Sequence, residues 1–82
     1  DAFTLYPNPS TGEFTLSFNE SINGTATVTI MNTTGKQLYS QVININKAAQ
    51  TESISISNIS SGLYFIKVET ANGISVKKLV IE

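Results

Sequence analysis

The sequence has no histidine, no cysteine, no tryptophan and no arginine. These absences exclude imidazole general bases, cysteine nucleophiles and every thiolate or imidazole metal site. They also exclude bidentate guanidinium clamps on phosphate or guanine. Charge is scarce as well: five lysines face six acidic residues, and charged residues make up 13% of the chain. A net charge of −1 draws in neither nucleic acid nor anionic lipid, so no nucleic-acid partner is expected. No apolar run approaches the ~20 residues of a membrane-spanning helix, so no direct membrane insertion is expected. The single aspartate is Asp1, and Glu13, Glu20, Glu52 and Glu69 are widely spaced. That spacing suits neither a calcium site nor a carboxylate pair. No metal, cofactor or conventional catalytic centre is expected. With no cysteine, disulfides carry no information about compartment.

Ser, Thr and Asn dominate what is present, with 10, 10 and 8 residues. Isoleucine, valine and threonine supply 25 β-branched residues, which suit a pleated, half-buried surface better than a helix. Leu, Ile, Val and Phe total 24 of 82 residues, well above the level of a disordered chain. A chain of this length buries roughly 60–65% of its unfolded surface. Its expected stability is on the order of 4–12 kcal/mol. It begins at Asp1 without a signal-peptide pattern, and is expected to be a piece, residues 1–82, of a larger protein whose export signal and main activity lie elsewhere.

Glycines fall at positions 12, 24, 35, 62 and 73, and Asn23-Gly24 and Asn72-Gly73 are the dipeptides favoured in tight hairpin turns. Between them, residues alternate with a period of two. Phe14, Leu16 and Phe18 share one phase, as do Ala26, Val28 and Ile30; Ile54 and Ile56; and Tyr64, Ile66 and Val68. The expected core is Phe14, Leu16, Phe18, Val28, Ile30, Ile54, Ile56, Ile66 and Val68. Leu38 and Val42 oppose Tyr39, Ile43 and Ile45 in phase, so that strand is either covered on both faces or bulged. In the last run Ile74 and Val76 hold one phase, and Leu79 and Ile81 the other. The switch predicts a β-bulge at Lys77-Lys78. A short opening strand at residues 3–6 brings the count to seven. Pro7 and Pro9 mark its exit, and residues 47–50 are too few for a helix. The spacing predicts an all-β fold: a single seven-stranded antiparallel β-sandwich, immunoglobulin-like in type.

Candidate chemistry is thin. Ser75 and Lys77 project from one side of a strand, an arrangement more often a solvated face than a catalytic pair. Phe65 lies opposite the core phase and is the one candidate for an exposed sugar-stacking aromatic. Tyr64 is expected inside, with its hydroxyl on a buried partner. Four Asn-X-Ser/Thr triplets, at Asn19, Asn23, Asn32 and Asn58, arise readily by chance in a chain this rich in those residues. Gly62 is expected either at positive φ or packed too closely for a Cβ.

Three segments together resemble a known family. They are Leu5-Tyr6-Pro7-Asn8-Pro9 followed by Gly12; residues 54–64, read as I-S-I-S-N-I-S-S-G-L-Y; and Asn72-Gly73 leading to Lys78-Leu79-Val80-Ile81. Their order and spacing, across the whole chain, resemble the type A C-terminal sorting domain of the type IX (Por) secretion system. One departure is Ser61, where the family often has proline. The resemblance implies a protein export signal with no catalysis of its own, attached behind an N-terminal cargo domain. It implies periplasmic transit and recognition by the type IX outer-membrane translocon. It further implies removal by a sortase-like protease, which leaves the secreted cargo at the cell surface or in the medium. The recognition residues it suggests are Pro7, Asn8, Pro9, Gly62, Tyr64, Lys77, Lys78, Leu79, Val80 and Ile81. The alternatives are a non-catalytic immunoglobulin- or fibronectin-like spacer or adhesion module and, with less support, a carbohydrate-binding module.

Overall fold

The computed structural model describes residues 3–18, 24–46 and 49–82. Asn19, Glu20, Asn23 and Lys47 lie outside these, so two of the triplets, one half of the Asn23-Gly24 turn and the start of the 47–50 patch do too. Seven strands follow in chain order: β1 (Phe3–Tyr6), β2 (Glu13–Phe18), β3 (Gly24–Met31), β4 (Gln37–Ile45), β5 (Thr51–Ser55), β6 (Gly62–Thr70) and β7 (Gly73–Ile81). They form two antiparallel sheets, in the orders β1-β2-β5 and β4-β3-β6-β7. The chain crosses between sheets after β2, β4 and β5, while β3–β4 and β6–β7 are hairpins. This is an immunoglobulin-like Greek-key sandwich in which β4 extends the β3-β6-β7 sheet.

Period-two alternation determines which side chains meet between the sheets. Phe14 pairs with Ile54 across β2 and β5, and Val28 and Ile30 pair with Val68 and Ile66 across β3 and β6. Phe3, Leu16, Phe18, Val28, Ile30 and Ile66 retain no exposure. Leu79 and Ile81 face inward from β7, and Ile43 and Ile45 from β4. Of the expected core, only Ile56 is half-buried. It follows the end of β5, and its N–H donates to the Gly12 carbonyl at 2.8 Å. Strand β4 is bulged rather than doubly covered. Its register against β3 shifts between Ile30, opposite Tyr39, and Met31, opposite Gln37, so Leu38 is the extra residue. Leu38 and Val42 are both exposed, Val42 on the outer side opposite Thr27.

The bulge expected at Lys77-Lys78 is absent. β6 and β7 pair in unbroken register from Gly62 opposite Ile81 to Thr70 opposite Gly73. Ser75, Lys77, Leu79 and Ile81 therefore share the inner side throughout. The apparent phase switch arises because two of these inward positions are polar. Lys77 is half-buried, with its Nζ 5.6 Å from the centroid of the Phe3 ring. Its aliphatic stem serves there as an apolar side chain would, and its charge meets the aromatic face. Lys78, on the other phase, is exposed.

Phe14 tests this packing. Phe14→Ala is expected to lower stability by about 3–5 kcal/mol in urea melts, the usual consequence of emptying an aromatic core site. A loss below about 1 kcal/mol would place Phe14 outside the core.

Candidate functional site

Proline has no N–H, so Pro7 and Pro9 give the segment leaving β1 no donors for pairing with a neighbouring strand. Asn8, between them, supplies the hydrogen bonds from its side chain. Its Nδ2 donates to the Lys78 carbonyl at 3.0 Å, and its Oδ1 accepts from the Val80 N–H at 3.0 Å. Two residues on, the backbone takes over. The Ser10 N–H donates to the Val80 carbonyl at 2.9 Å, and the Glu82 N–H donates to the Ser10 carbonyl at 2.8 Å. Ser10 thus forms an isolated parallel bridge with Ile81. The segment leaves one sheet and closes the edge of the other, at the last residues of β7.

The other side of β7 is held by the start of β6. Gly62, Leu63 and Tyr64 pair with Ile81, Val80 and Leu79. The segment around Pro7 is far in the chain from the β6–β7 hairpin that holds Gly62 and Lys78, and lies beside it in space. Pro7, Asn8 and Pro9 are exposed, and Tyr64, Leu79 and Ile81 are core residues. Val80 is half-buried and Lys78 exposed on the outer side. Lys77 sits on the inner side over Phe3.

Tyr64 and the two glycines nearby act on the local geometry. The Tyr64 hydroxyl donates to the Ser60 carbonyl at 2.6 Å. This fixes the approach to β6 in the manner of the tyrosine corner of immunoglobulin-like domains. Gly62 has φ 150°, so its expected positive φ is present, while an added Cβ would meet only the Tyr64 ring at 3.9 Å. The crowded glycine is Gly12 instead. At φ 110°, a Cβ there would lie 2.8 Å from the Ile56 carbonyl oxygen. Any side chain at position 12 would push apart the 10–12 turn and the end of β5.

Other candidates fare less well. Ser75 and Lys77 do share a side of β7, but Lys77 is directed at the Phe3 ring. Phe65 is half-buried on the outer side of β6, and one partly covered ring makes no stacking platform. An open groove of about 370 Å³ lies between Leu38 and the 56–60 loop, and its aromatic residue, Tyr64, is buried in the core. Among the described residues, no group of three acidic side chains stands close enough to hold a metal ion.

The Asn8 clasp was not foreseen as a contact, although Asn8 was singled out. A polar amide flanked by two residues without N–H groups was the available signal. Removing it tests its weight. Asn8→Ala is expected to cost about 1–2 kcal/mol, since two backbone groups of β7 lose their partners at an exposed edge. Tyr64→Phe, losing one hydrogen bond while keeping the ring, is expected to cost about 1 kcal/mol. Urea denaturation of both variants, with amide exchange at Val80 for the first, measures these losses. Unchanged exchange at Val80 in Asn8→Ala would show that the clasp holds nothing.

Comparison with known proteins bears on the same segments. A family model described as a secretion system C-terminal sorting domain matches residues 4–82. No curated protein matches the chain.

Proposed function

The chain belongs to the secretion system C-terminal sorting domains, and from that premise we propose that it is read as a folded label by the outer-membrane translocon. Members of this family are C-terminal sorting signals of type IX secretion, which direct cargo to the cell surface or the extracellular space. In the proposed sequence of events a cargo domain, covalently attached on the N-terminal side, first reaches the periplasm. The sorting domain folds there and engages the translocon. A sortase-like protease then removes it as the cargo arrives outside. The domain itself is the substrate in that cleavage and catalyses no step.

One observation supports this reading above the others: the three family-like segments form a single assembly. Asn8 and Ser10 close the edge of β7 at residues 78–82, and Gly62 to Tyr64 pair along its other side. Within this assembly the proposed recognition residues divide by role. Asn8, Gly62, Tyr64, Leu79 and Ile81 build and orient it. Lys78 and Val80, with the exposed Pro7 and Pro9, are available to a partner. Lys77 belongs with the builders, because it packs over Phe3.

Residues 1–82 fused behind an inert periplasmic reporter, in a type IX-competent strain, test the reading. The reporter is expected at the surface or in the medium, and in the periplasm when the translocon is deleted. A fusion lacking residues 78–82 is expected to remain periplasmic. Retention of the intact fusion in the competent strain would favour a spacer module instead.

A further inference from the structure

A sandwich whose outer faces meet water normally alternates apolar residues inward with polar residues outward. The outer side of the three-stranded sheet largely obeys this, with Thr4, Thr15, Ser17, Ser53 and Ser55 along β1, β2 and β5 and Tyr6 as the exception. Strands β3 and β4 largely obey it too, through Thr25, Thr27, Ser40 and Asn44. The β6–β7 hairpin does not. Its inward residues, Tyr64, Ile66, Val68, Leu79 and Ile81, already supply its share of the core. Yet its outer side pairs Leu63 with Val80, Phe65 with Lys78, and Lys67 with Val76. Met31 of β3 lies next to Phe65 on the same side. Leu63 is 41% exposed, Val76 54% and Ile74 59%, half of the large exposed hydrophobics among the described residues. Nothing in the core requires these side chains, and a contiguous exposed apolar surface on a small domain marks an interaction site.

The charges on this surface specify the occupant. Lys67 and Lys78 alternate with the apolar residues in a checkerboard, and Glu69, opposite Ile74, lies at the far end. A partner covering Leu63, Phe65, Val76 and Val80 must also meet two ammonium groups. We propose that the outer side of the β6–β7 hairpin is the translocon-binding face, and that its partner is a protein surface that is apolar and carries carboxylates. This rests on the sorting reading above and names the surface of that same assembly that is recognised. Val80 and Lys78 would then join the two halves of the assembly. Their backbone groups are held by Asn8, and their side chains point away from the core toward the partner. The clasp is on this account a positioning device for the docking face.

The test uses the full fusion to a periplasmic reporter. Leu63→Thr with Val76→Thr removes apolar contact while keeping side chains that suit a strand. Lys67→Glu with Lys78→Glu reverses the charge. Thr4→Glu with Ser53→Glu, on the other sheet, is the control. Melting temperatures of the fused domain establish that each variant is folded. Both face variants are expected to reduce surface delivery by about tenfold or more, the scale of losing a central interface contact. The control, and Lys67→Arg with Lys78→Arg, are expected to be delivered as the parent is. Normal delivery of both folded face variants would overturn the proposal and leave the sorting function intact. Failure of the parent fusion itself would overturn the sorting reading and the face together. Two further results would assign the face to a different occupant and overturn the proposal. One is a fusion dimer that the Leu63→Thr, Val76→Thr pair converts to monomer in sedimentation. The other is co-sedimentation with phosphatidylglycerol vesicles that Lys67→Glu, Lys78→Glu abolishes.

Discussion

Two prolines around Asn8 leave the chain with no backbone donor at either neighbouring position, and the side-chain amide of Asn8 takes over that task. It presents one donor and one acceptor with about the spacing of a peptide group, and both are used on β7, at Lys78 and Val80. Ser10 continues the same edge through its backbone. Much of the C-terminal half of the domain depends on this closure. Without it, the last residues of β7 would be held on one side only, by β6, and Leu79 and Ile81 would be packed from an edge free to fray. The closure also ties the two sheets together, because β1 belongs to one and β7 to the other. In a domain without cysteine, and so without disulfides, such a tie limits how far the sheets can separate.

The sheet interior was legible in the sequence because one physical rule, alternation about a pleated strand, governs it. Phe14, Leu16, Val28, Ile54 and Ile66 each hold the inward phase in the sequence and the core in the structure. The rule misled at β7 for an identifiable reason. Lys77 occupies an inward position beside Phe3, where its stem is apolar and its head is not, and a hydropathy pattern registers only the head. With Ile74 and Val76 apolar on the outer side, the pattern reads as a phase switch, and a switch implies a bulge that the register does not contain. The actual bulge, at Leu38 in β4, was visible as conflicting phases but could not be distinguished there from a strand covered on both sides.

The candidate site was legible as an order of motifs and not as a place. Asn8 and Lys78 are separated by 70 positions in the chain, and alternation carries no information about contacts at that range. Knowing that Pro7-Asn8-Pro9 and Lys78 to Ile81 recur together does not say that one hydrogen-bonds the other. Similarly, Tyr64 was expected to find a buried partner for its hydroxyl, but its choice of the Ser60 carbonyl depends on the turn geometry before β6. Gly12 was read as punctuation, and its closeness to the Ile56 carbonyl requires the tertiary fold.

A small sandwich that exposes an apolar hairpin next to a strand edge risks pairing with itself, since edge and face together resemble an unfinished sheet. Two features of this chain work against that outcome without hiding the side chains. On the edge of β7 the Lys78 carbonyl, both backbone groups of Val80 and the Glu82 N–H are already taken by Asn8 and Ser10, so an incoming strand finds few free groups at that end. Lys67 and Lys78 interrupt the apolar surface, and two copies brought face to face would oppose like charges. Backbone pairing is largely indifferent to sequence, whereas side-chain contact is not. Closing the edge while leaving the face open therefore shifts association from the indiscriminate mode to the selective one. A sorting domain read by the surface of a partner, as proposed above, would use that shift.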